Sequence, residues 1–478
     1  MPWLQKDKGK IMKILLKSIF IIFIISCFPI IFLYANNPKE ISFYELTITA
    51  LCFYCVGLII WCILRILTKN SNKALVLAAM AIIVFSNYHH MELGIRKVFG
   101  FMEYWHLVPI ICFLLFVFYK FVKHNMKDST ANAVVLVLAI SFSALFAVNV
   151  VLCLPYAYQS LKEQEVDNSF SVIIDEATPK RNIYYFVFDE YSNFPIIKKY
   201  YDYDNSGFET YLKDYGFSIS YDSHNECYST TTILTNILNL NYVSTPETAE
   251  DTKLKMREQA KIYDIFKQAG YEIIGVGKTA NSMGVESKSQ NNSKGGGQTA
   301  KGESFFQILV RNTVFYPFVK MDNDQRAKDI LNGINYFKDK DNYKNKTSVL
   351  TVSYFESPHE PFLFDNNGNA VSPQHYYDWD EKKYYLDQYK FITDCMKTIV
   401  ANIIENDPDS IIFLSSDHSA RFREEFEEED KRNPFHAVYA GKDRKLNIAG
   451  KSGVNTMRTI IGEALDLDMG EVEVPTYD

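Results

Sequence analysis

The strongest constraint on this chain is where its apolar residues lie. Residues 14–160 are dominated by Ile, Leu, Phe, Val and Ala, whereas 161–478 read as an ordinary polar globular sequence. Five apolar segments stand out in the first part, at about 14–35, 45–67, 74–95, 104–122 and 131–154. A helix needs about 20 apolar residues to cross the roughly 30 Å hydrocarbon core of a bilayer, and each segment approaches that length. A cleaved leader would account only for the first, and no small-residue cleavage site follows it. The strictly apolar part of the third is short and ends in SNYHHMELGIR, residues 86–96, which suits a tilted or partly interfacial helix.

Positive charge sets the expected orientation. Lys6, Lys8, Lys10 and Lys13 precede the first segment; Arg65, Lys69 and Lys73 lie between the second and third; Lys120, Lys123 and Lys127 lie between the fourth and fifth. All three clusters share one side if the N-terminus is cytoplasmic, with only Arg96 and Lys97 opposed. Five crossings then carry the rest of the chain to the far side of a bacterial-type cytoplasmic membrane, into the periplasm or beyond. The expected domains are a membrane part over 1–155, a linker over 156–180 and an exported part over 181–478.

At 478 residues the length allows two or three domains. A net charge of −7 gives no basic face for nucleic acid. Six of the eight cysteines (Cys27, Cys52, Cys55, Cys62, Cys112 and Cys153) sit in the membrane part and read as small apolar residues. Cys227 and Cys395 remain outside it, and whether they pair is left open.

The exported part reads as α/β. NIYYFVF (182–188), YEIIGVG (271–277), TSVLTVSYF (347–355) and SIIFLSS (410–416) are continuous runs of β-formers, the mark of strands buried on both faces. Helical patterns occupy 207–214, 253–268 and 380–405, while 284–303 is a polar, glycine-rich loop. Alternating strands and helices predict a mostly parallel sheet between helices, and sites in such sheets collect at the carboxyl ends of the strands.

Ionisable residues stand at those ends. Asp189 and Glu190 follow the first strand, Asp417 and His418 the last, and His359 lies just past TSVLTVSYF. One acid at a strand end is most often a helix cap or turn residue. Three strand ends needing that explanation at once make it less attractive than a ligand set of hard oxygens and an imidazole, suited to Zn2+ or Mn2+. HNECYSTTTILTN (224–236) adds three threonines ahead of an apolar helical pattern. They read either as helix caps or as a nucleophile whose pKa a cation lowers at a phosphate-favouring helix start. The charge-dense run RFREEFEEEDKR, 421–432, reads as a solvated face.

In order, a strand ending in acids, a hydroxyl at a helix start, PHEPF and a strand ending in Asp–His resemble the alkaline phosphatase superfamily. The narrower similarity is to its membrane-anchored, sulfatase-like branch, which includes lipoteichoic-acid synthase and the lipid A phosphoethanolamine transferases. FESPHEPFLFDNNGN (355–369), YLDQYKFITD (385–394) and SGVNTMRTII (452–461) are also similar to segments of this family. The resemblance implies one divalent metal, Zn2+ or Mn2+, with a second left open. It implies Asp189, Asp417 and His418 as ligands, Glu190 as the second acid of true sulfatases, and His359 as a contact to substrate phosphate. It implies Thr230 as nucleophile and metal ligand, with Thr231 and Thr232 not eliminated. His436 in PFHAVYAG is a further ligand position, against which stands a strand histidine satisfied by its surroundings. The chain departs from the family at Ser419, where glycine is usual. It departs again after Cys227, which lacks the Pro and Arg of a formylglycine signature.

The activity so implied is a phospho-group transferase, monomeric, taking a phospholipid head group such as phosphoethanolamine or phosphoglycerol through a phospho-threonine. Its acceptor would be an envelope glycan or lipid. A membrane-anchored phosphodiesterase, phosphatase or sulfatase-like hydrolase is the alternative, and an inactive exported scaffold or sensor in polysaccharide assembly the second.

Overall fold

A computed structural model describes residues 2–36, 43–99, 104–161, 180–242, 256, 260–277, 280, 283–285, 309–310, 312–342, 348–372, 375–379, 381–421 and 425–475. The chain divides into two compact units. One comprises Met1–Glu163, Glu247–Glu250 and Glu303–Lys320; the other holds Gln164–Pro246, Asp251–Gly302 and Met321–Asp478.

The first unit is helical: α1 (Pro2–Asn36), α2 (Phe43–Thr68), α3 (Ser71–Ser86), α4 (Tyr88–Val98), α5 (Tyr104–His124) and α6 (Asp128–Leu161). Among the described residues four stretches are long and apolar enough to cross a membrane: Ile14–Asn36, Tyr44–Thr68, Trp105–His124 and Asp128–Tyr156. Leu51, Ile59, Phe113, Val137 and Ile140 point outward from them. An apolar surface of that extent marks contact with a non-aqueous phase or a partner, which fits helices made for lipid. Gly57 lets α1 and α2 approach closely, since a Cβ there would stand 2.2 Å from Ser26 Oγ.

The third apolar segment differs from the expected span. Its helix, capped by the Asn70 side chain, has 16 residues, or about 24 Å of rise. It ends at Asn87, and α4 begins afresh. Ala74, Ala78 and Ala79 of α3 are buried against Ile21, Ile22 and Ile25 of α1, so small residues seat this short helix among its neighbours. Late chain also joins this unit. Leu309 packs with Ile30, Tyr34 and Leu46, and the His89 N–H donates to the Asn312 carbonyl at 3.1 Å. α6 continues to Leu161, past Pro155 and through residues with no further helix breaker. Residues 162–179 lie outside the described set, as does most of the 284–303 loop.

The second unit is α/β. Its strands are β1 (Ile183–Phe188), β2 (Ser218–Ser220), β3 (Glu272–Val276), β4 (Val349–Phe355), β5 (Ile411–Ser415) and β6 (His436–Tyr439), in the sheet order β2-β6-β5-β1-β4-β3. β3, β4, β1 and β5 pair in parallel, while β6 runs antiparallel to both β5 and β2, so the sheet is mixed. Helices cover both faces: α7 (Phe194–Tyr201), α8 (Ser206–Asp214), α9 (Thr230–Asn239), α10 (Lys261–Gln268), α11 (Tyr316–Tyr336), α12 (Lys382–Asn406), the short α13 (Glu428–Lys431) and α14 (Gly453–Leu465).

Period-two alternation divides β1 between two cores. Tyr184, Phe186 and Phe188 pack with residues of α7, α8 and α12; Ile183, Tyr185 and Val187 pack with residues of α9, α10 and α14. Every residue of β1, β4 and β5 is buried. That is why they read as unbroken apolar runs.

Candidate metal centre

At the carboxyl end of β1 the chain turns sharply. Glu190 adopts φ 63°, a left-handed conformation that costs a non-glycine residue about 1–2 kcal/mol. The turn is tied across the sheet: the Asp189 N–H donates to the Phe355 carbonyl at 2.9 Å, and the His359 N–H to the Asp189 carbonyl at 3.1 Å. The Glu190 N–H donates to Asp417 Oδ1 at 3.0 Å, which couples the tips of neighbouring strands β1 and β5.

Each side chain of the cluster has one end held by the surrounding protein and the other turned inward. Tyr354, at the end of β4, donates its hydroxyl to Asp189 Oδ2 at 2.6 Å. Asp417 Oδ1 accepts the N–H groups of Glu190 and His418, both at 3.0 Å. His418 Nδ1 donates to the Ser419 carbonyl at 2.8 Å, which leaves Nε2 with its lone pair. The inner atoms then converge. His418 Nε2 lies 3.3 Å from Asp417 Oδ2 and 3.9 Å from Asp189 Oδ1, and one ligand atom from each of the three residues lies within 4.8 Å of the others.

These groups are buried, and Asp189 Oδ1, Asp417 Oδ2 and Glu190 Oε2 accept no hydrogen bond from the described residues. Such burial costs several kcal/mol per ion unless a counter-charge is present. Burial, then the Asp417 charge, pushes the Asp189 carboxyl well above the usual range, and burial does the same to Glu190. Burial works upward on Asp417 too, but His418, the Thr230 hydroxyl and the Glu190 amide together pull it below the usual range. Burial lowers His418 to about 4, so the imidazole is neutral as a ligand must be. Two carboxylates and a neutral imidazole with inward lone pairs fit a divalent cation.

One of the three threonine hydroxyls stands beside the cluster. α9 is capped at Ser229 without a side-chain bond, and Thr230 Oγ1 stands 3.4 Å from His418 Nε2. Thr232 Oγ1 instead turns to Ser229 Oγ at 3.4 Å and is buried, and the Thr231 carbonyl accepts the Thr235 hydroxyl at 2.7 Å. His359 completes the rim. Its Nδ1 bonds the Glu360 carbonyl at 2.6 Å, and its Nε2 faces Glu190 Oε2 at 3.9 Å.

His436 lies elsewhere. It sits within β6 with Nδ1 3.0 Å from Ser223 Oγ and its ring edge-on to Phe413, outside the group that converges on His418. Cys227 and Cys395 form no disulfide with one another.

Several supporting residues escape sequence reasoning. Tyr354 orients Asp189 from inside a strand. Asn225 spans the site's floor, donating to the Asp417 carbonyl at 2.8 Å and accepting the Gly453 N–H at 2.9 Å. Ser419, where the family has glycine, anchors the loop by donating to the Asn433 carbonyl at 2.5 Å. Arg421 donates its N–H to Glu190 Oε1 at 2.9 Å. Its place three residues after His418 was the available signal. In the charge-dense run Glu425, Glu427, Glu428 and Glu429 are exposed, while Phe426 is buried against Tyr200, with ring centroids 4.2 Å apart.

Residues 217–456, half of the chain, match the family model described as Sulfatase. The match takes in Thr230, His359, Asp417 and His418 and begins after Asp189. No curated protein matches the sequence. Among solved structures, the chain is similar to the integral membrane lipooligosaccharide phosphoethanolamine transferase A of Neisseria meningitidis, with 10% identity and a TM-score of 0.45 over 94% of this chain and 95% of that one. It is similar to the periplasmic domain of phosphoethanolamine transferase EptC from Campylobacter jejuni, with 12% identity and a TM-score of 0.37 over 61% of this chain and 92% of that one. The periplasmic domain of EcEptC from Escherichia coli, in complex with Zn, gives 12% identity and a TM-score of 0.37 over 61% and 84%. The chain belongs to the sulfatase family, its matched domain preceded by apolar helices.

Proposed function

We propose that this chain is a metal-dependent phospho-group transferase. It takes a head group from a phospholipid at the outer face of a membrane and passes it to an envelope glycan or lipid. The observation that carries the reading is the Thr230 hydroxyl at the start of α9, 3.4 Å from the imidazole nitrogen of a buried acid–histidine cluster. Asp189, Asp417, His418 and Thr230 would hold one divalent ion, Zn2+ or Mn2+, which when bound lowers the hydroxyl's pKa and offsets phosphate charge.

Thr230 Oγ attacks the donor phosphorus. The Oγ–P bond forms as the bond from phosphorus to the diacylglycerol oxygen breaks, and the hydroxyl proton ends on that oxygen. His359 Nε2 carries the proton: its Nδ1 is committed to the Glu360 carbonyl, and burial lowers the ring's pKa, leaving it neutral and able to accept. The N-terminus of α9 favours the phosphate's charge. In the second half an acceptor hydroxyl attacks phosphorus, the P–Oγ bond breaks, and the acceptor's proton returns to Thr230.

Apolar helices suit an anchor in the membrane that contains such a donor. With the short α3 counted as a crossing, the basic clusters around Arg65, Lys69 and Lys120 share the cytoplasmic side with the N-terminus, and the chain after α6 emerges on the outer side. Cys227 faces Glu226, its Sγ 4.0 Å from Oε1, and lacks the signature needed for conversion to formylglycine, which disfavours sulfate-ester hydrolysis by that route.

The test is intact-mass spectrometry of the full-length protein after incubation with phosphatidylethanolamine and phosphatidylglycerol vesicles. A head-group adduct that maps to Thr230 and disappears in Thr230→Ala supports the reading and identifies the donor. An adduct that persists in Thr230→Ala contradicts it.

A further inference from the structure

The loop that carries His359 leaves β4 at Phe355 and forms neither helix nor strand up to Leu363. Pro358 and Pro361 bring no N–H to a hydrogen-bond ladder. Pro358, Pro361, Leu363 and Phe364 are nevertheless buried, so their backbone polar groups need partners from elsewhere. One side chain of α12 supplies them. Gln388 Nε2 donates to the carbonyls of His359 at 3.0 Å, Pro358 at 3.1 Å and Pro361 at 3.4 Å. Its Oε1 accepts the N–H groups of Leu363 at 2.6 Å and Phe364 at 3.1 Å. Carbonyls on one side and N–H groups on the other fix which way the amide points. Gln388 is 1% exposed, so solvent does not compete for these bonds.

The same helix face reaches the opposite side of the site. Tyr385 and Tyr389, three residues before Gln388 and one after it, share that face. Tyr385 donates its hydroxyl to the Glu190 carbonyl at 2.8 Å, and Tyr389 donates to the Ser192 carbonyl at 3.1 Å. One face of α12 therefore holds two loops, the acid turn after β1 and the histidine loop after β4. Their side chains meet where His359 Nε2 faces Glu190 Oε2. Within its loop His359 is tied at both ends, its N–H to the Asp189 carbonyl and its Nδ1 to the Glu360 carbonyl. The ring thus moves with the backbone that Gln388 grips.

We propose that Gln388 is a positioning residue for the transfer step, holding the His359 backbone so that Nε2 meets the proton leaving Thr230. The proposal rests on the transferase reading above. An apolar side chain of the same length fills the space but leaves three carbonyls without their donor and two N–H groups without their acceptor. The loop then shifts to find other partners, and a displacement of about 1 Å is enough to cost about 10²-fold in rate.

The experiment uses the full-length protein in detergent and a double-mutant cycle of Gln388→Met with His359→Ala. It reads bound metal per chain, and kcat and KM for bis(4-nitrophenyl) phosphate. Gln388→Met is expected to keep the wild-type metal content and KM while kcat falls about 10- to 100-fold. His359→Ala loses the same step by itself, so adding Gln388→Met to it costs less than about threefold more. Gln388→Glu retains an acceptor for Leu363 and Phe364 and loses the donor. Its kcat falls as well, and it gives a second cycle should the methionine variant fail to fold. A fall of equal size with and without His359 overturns the proposal, because Gln388 then supports the fold and not the histidine. Wild-type kcat in both Gln388 variants overturns it, as does loss of metal. An active wild type whose rate is unchanged by His359→Ala also overturns it and leaves the Thr230 reading standing. A wild type that neither turns over the diester nor gains an adduct on Thr230 from phospholipid vesicles defeats the transferase reading, and this proposal with it.

Discussion

An aspartate stands near each end of β5, and the two are treated differently. Asp407, before the strand, is met by donors: Asn182 Nδ2 at 2.8 Å and the Tyr184 hydroxyl at 3.0 Å both reach its Oδ2. The neighbouring Arg181 pairs with Glu463 at 3.0 Å and also donates to the Asp409 carbonyl. Asp417, past the other end, is more deeply buried, and its Oδ2 accepts no hydrogen bond and faces a second carboxylate. The amino ends of the strands thus hold acids whose partners are protein groups. The carboxyl ends hold acids that each keep one oxygen without a hydrogen bond from the described residues. A buried acid with its donors in place is architecture, and one kept without them is a site.

Substitutions at the two ends should part accordingly. The largest effect is expected from Asp417→Asn. The amide can still accept the Glu190 and His418 N–H groups, so the fold survives, but its NH2 would point at His418 Nε2, 3.3 Å away, and close the cluster. Diester turnover should fall at least about 10³-fold, measured with bis(4-nitrophenyl) phosphate; a fall under tenfold would erase the contrast between the ends. Thr230→Ala should abolish turnover comparably while leaving two carboxylates and an imidazole to bind metal, checked by paired activity and metal assays. Tyr354→Phe frees Asp189 Oδ2 and should weaken metal affinity about 10- to 100-fold, read by competition with a chelating dye.

At the other end, Asp407→Ala removes the acceptor of two hydrogen bonds. It should cost about 1–3 kcal/mol of stability in chemical denaturation with metal affinity unchanged. His436 gives the smallest effect. Burial lowers its pKa to about 3, against 6.5 unperturbed. Its stabilising contribution is therefore full above about pH 6.5 and is lost as pH falls toward 3, because the unfolded chain takes up a proton that the fold refuses. Between pH 7 and 5 wild type should lose about 2 kcal/mol more than His436→Gln, read from denaturation midpoints.

Much of this contrast was legible in the sequence. The parallel strands were readable because burial on both faces turns β1, β4 and β5 into unbroken apolar runs, and their carboxyl tips then pointed to Asp189, Asp417 and His418. Other features were hidden for physical reasons. β2 and β6 have three and four residues, too few to show a period, and β6 reverses direction. Thr230, Thr231 and Thr232 are indistinguishable until the start of α9 fixes which hydroxyl meets His418. Tyr354 is camouflaged inside a strand as a β-former, and Arg421 opens a run whose charge density suggests solvent. The short α3 shows the converse, since the length of an apolar segment does not reveal where Asn87 interrupts its helix.

The central claim is that the unsatisfied acids at the carboxyl ends hold a metal ion. Elemental analysis of the purified full-length protein tests it most directly, on wild type, Asp417→Asn and Asp407→Ala side by side. The account predicts about one divalent ion per chain in wild type and in Asp407→Ala, and almost none in Asp417→Asn. Equal metal in wild type and Asp417→Asn would contradict it.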